Sequence, residues 1–329
     1  MLDWILSSTL PRGLFNLYTQ TFPPSPTWTD ADIPDLTDKT IIVTGASSGI
    51  GKDTARALLH HNADVYIGGR NKSKIESVID ELRNETGKTA QPFLVDLSDF
   101  DSVNNAAHEF LHKETQLAAL FCNAGIMAAP VELLSKQGYD IQFQTNVMSH
   151  YLLATLLHPA LDNYSRNNDR NEKARVVHTS SAMQSFLIHE TGIDFHLLKD
   201  GHLRRSTNIN TWDLYGYSKI GNTVISNILN KQQVNISHSS CHPGILQTEL
   251  WRHTRIPGWK AFFSSFILYP SSLGSLTQLY LGTVEKDTEG LYGIPWARHG
   301  IADKRTSDPS LNKDLEEWLQ TELAGYLPQ

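Results

Sequence analysis

Short apolar runs and longer stretches of helical spacing alternate along most of this chain. The runs at 41–43, 65–67, 93–95, 117–122, 175–178 and 234–241 have strand length and are rich in Val, Ile, Leu and Phe. Between them apolar residues recur every third or fourth position; Ile75, Val78, Ile79 and Leu82 make one such face. This alternation predicts an α/β protein built on a doubly wound parallel sheet. A last helix is well marked: Asp308 can cap it, Pro309 suits its first turn, and Leu311, Leu315, Trp318, Leu319 and Leu323 share one face. Phe22-Pro23-Pro24-Ser25-Pro26 reads as a linker. The expected organisation is an N-terminal apolar segment with its linker at 1–36, a single domain at 37–305, and a C-terminal helix at 306–329.

The N-terminal segment carries Leu2, Trp4, Ile5, Leu6, Leu10, Leu14, Phe15 and Leu17 with a single basic residue, Arg12. It lacks the basic start and small-residue cleavage site of a signal peptide. The plainer reading is a helix packed on the fold. The sharper one is a helix at a substrate mouth, or one that touches a membrane surface through residues 1–20. No run approaches the ~20 apolar residues of a membrane span, so a cytoplasmic protein is expected, with peripheral membrane contact as the variant.

Composition narrows the function classes. A formal charge of −7 with no basic block argues against a nucleic-acid partner. Cys122 and Cys241 each sit in an apolar run and read as buried thiols. His60-His61, His189, His196 and His202 match no metal-ligand spacing, so no metal is expected.

The chemistry begins at Thr44-Gly45-Ala46-Ser47-Ser48-Gly49-Ile50-Gly51, between the run at 41–43 and a helical pattern starting with Ala55 and Leu58. Strand, glycine turn and helix are the context a Rossmann-type dinucleotide loop needs, the plainer alternative being a glycine turn with no ligand. The rival P-loop fails. Ala46 stands where its first glycine belongs, and Asp53 replaces the hydroxyl after Gly51-Lys52.

Tyr215 and Lys219 are one helical turn apart on a predicted helix. A phenol with a pKa near ~10 is a poor acid–base group at neutral pH, and a nearby ammonium is expected to lower it. That lysine can also hold ribose hydroxyls. Tyr217 is spaced onto another face. The run at 175–178 leads into Thr179-Ser180-Ser181, placing two serines at a strand's carboxyl end, where such sheets bind ligands. Asn146 sits inside an apolar helix pattern that disfavours asparagine, which suggests a local kink and a bound water.

In this order the motifs resemble those of the short-chain dehydrogenase/reductase family over roughly residues 37–300. The loop from Thr44 to Gly51 is similar to the family's Thr-Gly-x3-Gly-x-Gly. Asp96-Leu97 resembles its adenine-contacting segment, and Asn123-Ala124-Gly125 its motif after the fourth strand. Asn146, Ser181, Tyr215 and Lys219 match its catalytic four. Either Ser180 or Ser181 could supply the hydroxyl; the resemblance points to the second of the pair. His242-Pro243-Gly244 with Thr248 is similar to the segment beside the nicotinamide amide. The Arg-Val-Val…Ser-Ser and His-Pro-Gly context is most like the retinol dehydrogenase and WW-domain oxidoreductase branch. The resemblance therefore implies cofactor contacts from Gly45, Ser47, Ser48, Gly49, Ile50, Gly51, Asp96, Leu97, Asn123, Ala124, Gly125, Tyr215, Lys219, Pro243, Gly244 and Thr248.

One departure is the distance from Ser181 to Tyr215, longer than the family's usual gap, which makes 186–212 an added polar loop expected over the site. Another feature bears on the cofactor. The second strand ends Gly68-Gly69-Arg70, with no acid for ribose hydroxyls and an arginine suited to a 2′-phosphate, so NADP(H) is expected over NAD(H). Leu250-Trp251, Trp259, Phe262, Phe263 and Phe266 suggest an apolar cover, with Ser181, Tyr215 and Trp251 touching substrate. The expected activity is alcohol–carbonyl interconversion on a retinoid-, steroid- or terpenoid-like compound. The rivals are a non-catalytic nucleotide-binding scaffold or redox sensor, and a reductase of activated double bonds or acyl-carrier substrates. Both monomer and homodimer stay open.

Overall fold

The computed structural model describes residues 19–168, 172–186, 192–246 and 269–328. Eight strands form one sheet: β1 (Thr40–Thr44), β2 (Asp64–Gly69), β3 (Gln91–Leu94), β4 (Ala119–Cys122), β5 (Ala174–Thr179), β6 (Ile236–Cys241), β7 (Tyr292–Ile294) and β8 (Arg298–Gly300). Their order is β3-β2-β1-β4-β5-β6-β7-β8. All neighbours pair in parallel except β7 and β8. This is the doubly wound α/β sheet expected, with its switch point between β1 and β4.

Helices cover both faces: α1 (Gly49–His60), α2 (Lys72–Thr86), α3 (Phe100–Lys113), α4 (Ser149–Leu156), α5 (His158–Asn167), α6 (His202–Ser206), α7 (Thr211–Gln232), α8 (Ser271–Thr283) and α9 (Pro309–Glu322). One core joins β1 and β2 to α1, α2 and α8 through Leu58, Ile67, Ile75 and Leu279. The larger one, on the opposite face, gathers Phe110, Leu153, Val224 and Leu315 from α3, α4, α7 and α9. Each such side chain, fully withdrawn from water, contributes about 1.5–3 kcal/mol before ordering costs.

Local sequence explains most element ends. The buried set of α2 is Ile75, Val78, Ile79 and Leu82, with Asn71 accepting from Lys74 N at its start and Gly87 in the left-handed conformation at its end. In α9, Asp308 accepts from Ser310 N, Pro309 opens the helix, and Leu311, Leu315 and Leu319 are buried. Trp318 sets its edge against Tyr139 and Phe143.

Three features differ from the pattern-based expectation. The run at 93–95 forms a strand at Gln91–Leu94. β7 and β8 had no signal: each has three residues, and β7 carries a glycine at its centre. They form because β6 offers an open edge and because Trp296 and Ala297, both at positive φ, turn the chain back. The added loop was expected to cover the site, and its described residues instead pack beside it. Asp140 N donates to Leu198 O, Phe195 leans on Trp318, and only Trp212 of these residues reaches the ligand cavity. Its anchor is Arg204, which donates to Leu197 O, to Val131 O and to Asp140 Oδ2 at 3.0 Å. Both partners of that ion pair are buried, 4% and 1% exposed.

Candidate active site

A single cavity of about 620 Å³ runs along the carboxyl ends of the parallel strands. At one end it is bordered by Gly69 at the end of β2, by Arg70 and Asn71 after it, and by Asp96 and Leu97 after β3. In the middle lie the Gly45–Gly51 loop and Asn123-Ala124-Gly125 after β4. At the other end are Ser181, Tyr215, Lys219, Pro243 and Gly244. Thr248, Trp251 and the aromatics at 259–266 lie outside the described residues, as do residues 1–18.

The glycine loop leaves no room for side chains. Gly45 has φ +67°, and a Cβ there would stand 2.8 Å from Ala124 Cα. A Cβ on Gly51 would stand 2.5 Å from both Asn123 Nδ2 and Gly45 O. Ser48, at the N-cap of α1, makes no side-chain cap, so the first-turn N–H groups and the helix dipole remain available to an anion. With Arg70 further along the same cavity, these residues fit a dinucleotide. The glycine loop and α1 would hold its pyrophosphate, and the β2 end its adenosine ribose.

The reacting end is assembled by α7 and the end of β5. Ser180 turns away, its Oγ donating to Lys219 O at 2.6 Å. Ser181 instead borders the cavity together with Tyr215, its Oγ accepting from Met183 N at 3.2 Å. Lys219 Nζ stands 5.6 Å from the Tyr215 ring centre and donates to Thr179 O at 2.8 Å. Tyr217 is buried in the core on another face of α7. The lysine was expected to pull the tyrosine pKa down. Burial dominates instead: it pushes Tyr215 up to about 12, with the nearby Ser181 hydroxyl opposing, and pushes Lys219 down to about 8.

Asn146 lies behind the cavity wall, fully buried. Its segment is irregular as expected: Gln144–Met148 is a π-helical stretch between the single turn Ile141–Phe143 and α4. The side chain is fully engaged, accepting from Ile126 N at 2.8 Å and donating to Ile126 O and Ser218 Oγ.

Two supporting residues gave no recognisable signal. His150 Nδ1 lies 2.9 Å from Asn146 O and its Nε2 lies 3.0 Å from Thr44 Oγ1. A carbonyl only accepts, so the proton sits on Nδ1 and Nε2 accepts from the threonine. Thr44 Oγ1 in turn receives Asn123 N and Ala124 N, each at 3.0 Å. His150 thus ties the glycine-loop strand to the π-turn, and burial pushes its pKa down to about 4, keeping it neutral. Gln278 of α8 joins Thr179, Thr54 and Asn123 across the sheet. A histidine and a glutamine in apolar helices look like ordinary core exceptions until the partners are brought to them.

Known proteins resemble this chain in sequence and fold. The family model for short chain dehydrogenases matches residues 39–188. A short-chain dehydrogenase/reductase of Armillaria gallica is 42% identical over 316 residues, which cover 95% of this chain and 99% of that one. The crystal structure of an uncharacterized protein from Mycobacterium paratuberculosis superposes with a TM-score of 0.67 at 25% identity, covering 89% of this chain and 97% of that chain. A short chain dehydrogenase of Shigella flexneri, solved in complex with NADP, gives 0.60 at 22% identity, covering 79% and 98%. The chain belongs to the short-chain dehydrogenase/reductase family of oxidoreductases.

Proposed function

We propose that this protein interconverts an alcohol with an aldehyde or ketone on a lipophilic, retinoid-, steroid- or terpenoid-like substrate, using NADP(H). The supporting observation is that Ser181 and Tyr215, with Lys219 Nζ 5.6 Å from the tyrosine ring, border the cavity that also contains the glycine loop. The bound dinucleotide supplies the hydride in reduction and takes it back in oxidation. In reduction the carbonyl oxygen accepts hydrogen bonds from the Ser181 and Tyr215 hydroxyls. As hydride adds to the carbon, the Tyr215 O–H bond breaks and its proton passes to that oxygen, leaving an alcohol and a phenolate. Lys219 stabilises the phenolate and solvent returns the proton, while Asn146, committed to Ile126 and Ser218, shapes the π-turn behind the pair. Oxidation reverses each step. The phenol stays protonated at neutral pH because of burial, so the lysine charge matters most once the proton has left.

NADP(H) is favoured over NAD(H) because Arg70, and no acid, follows Gly69 at the β2 end of the cavity. The NADP complex of the Shigella flexneri relative agrees with that reading. Ile126, Met127, Met183, Trp212 and Leu246 give the reacting end an apolar lining, which suits a lipophilic substrate. Kinship with the retinol dehydrogenase and WW-domain oxidoreductase branch rests on sequence context alone; the Armillaria relative carries only the family name. The test follows NADPH and NADH absorbance against aldehydes and ketones from short to bulky. NADPH consumption with bulky apolar carbonyls, yielding the alcohol, is expected. Nucleotide binding without turnover in either direction would overturn the proposal.

A further inference from the structure

We propose that Gln20 and Thr21, at the end of the N-terminal segment, form a wall of the reacting end of the cavity and set how bulky a substrate it admits. This rests on the carbonyl-reducing reading above.

Both residues line the same cavity as Ser181, Tyr215 and Trp212. They are held there from two directions. Gln20 Oε1 lies 2.9 Å from His242 Nε2, and the oxygen can only accept, so the histidine donates. Arg298 of β8 donates to Thr19 O at 2.8 Å and, through Nε, to Pro295 O at 2.9 Å. Both anchors lie far along the sequence from the segment they hold.

Sheet order says which end of the cavity this is. His242 directly follows β6, which neighbours β5, and Ser181 closely follows β5. Arg70 follows β2, on the far side of β1 and β4. Gln20 and Thr21 therefore sit with the reacting groups, opposite the end that suits the adenosine. The wall is also backed: a Cβ on Gly244 would stand 3.3 Å from Pro295 Cγ and 3.6 Å from the Trp296 ring. His242 and Gly244 after β6, the β7–β8 turn and residues 19–21 thus pack together. The segment lies outside the residues the family model matches. The Armillaria alignment leaves out only about a twentieth of the chain, so it includes these residues.

The test uses the full-length protein with two variants that should act in opposite directions. Thr21→Trp narrows the wall and should raise the ratio of KM for a bulky terpenoid aldehyde to KM for propanal at least tenfold. Gln20→Ala releases the tie to His242 and should lower that ratio at least threefold. NADPH affinity, read by fluorescence, reports on folding and on the opposite end of the cavity. A ratio unmoved in both variants, or moved the same way by both, would overturn the wall. If the wild-type protein reduces no carbonyl, the failure belongs to the reaction assignment. The wall is then judged by titrating a pyrene-labelled alcohol into the NADP-saturated protein. At least tenfold weaker binding by Thr21→Trp supports the wall, and unchanged binding overturns it.

Discussion

The two ends of the cavity are built by different means. At the nucleotide end, one contiguous segment does most of the work: β1 delivers Thr44, the glycines turn, and α1 presents its N-terminus. At the reacting end no contiguous segment suffices. Ser181 comes from the end of β5, Tyr215 and Lys219 from α7, His242 from the end of β6, and Gln20 from ahead of the sheet. A phosphate can be bound by backbone N–H groups, which any sequence with the right glycines supplies. Acid–base work and substrate fit need particular side chains held in register, and those must be gathered across the fold.

The largest effect that would break this division falls at the reacting end. Tyr215→Phe should cut carbonyl reduction about 10²–10⁴-fold with little change in NADPH affinity. Full turnover in a folded variant would remove the tyrosine from the chemistry. Next comes the support beside that end. Arg204→Ala leaves the Asp140 carboxylate buried without its cation, which should cost about 3–5 kcal/mol of stability in denaturant titration. A loss under about 1 kcal/mol would mean that water reaches the pair.

At the nucleotide end, Arg70→Ala should weaken NADPH binding ~10–100-fold, the worth of a charge-assisted bond at about 1.5–3 kcal/mol, while NADH affinity holds. Equal losses for both nucleotides would place the guanidinium elsewhere.

The smallest effect, taken group by group, distinguishes the two halves by pH. Burial pushes His150 down to about 4 and His238 and His242 to about 3, and His178 well below its usual value. The unfolded chain binds these protons near pH ~6.5 and the folded one does not, so stability is present above that pH and falls as pH drops below it. Each histidine contributes up to ~1.4 kcal/mol per pH unit below ~6.5. Three of the four belong to β5, β6 or the residue just after β6. Hydrogen exchange at pH 5.5 should therefore open β5 and β6 before β2 and β3, and uniform opening would contradict it.

Legibility in the sequence follows the same division. Six of the eight strands and the faces of α2 and α9 showed in the apolar spacing, because each buries a regular stripe. β7 and β8 did not, because pairing with β6 rather than their own pattern makes them strands. The glycine loop and the Tyr215–Lys219 turn were readable because their spacing is their mechanism. His150 and Gln278 were not, since their partners come from other elements. The added loop was recognised by its length, but its described residues were misplaced: nothing local shows that Arg204 will find Asp140 rather than solvent.

By itself the sequence determined the α/β alternation, the anion-binding turn, and the candidate acid–base pair one helical turn apart. These depend on neighbours within a few residues, where backbone geometry dictates who meets whom. Only the tertiary structure decided that Ser180 turns away to Lys219 O, that burial outweighs the lysine in setting the Tyr215 pKa, and that Gln20 meets His242 at the cavity wall. Those outcomes depend on desolvation and on contacts between segments far apart in the chain, and neither exists until the sheet has formed.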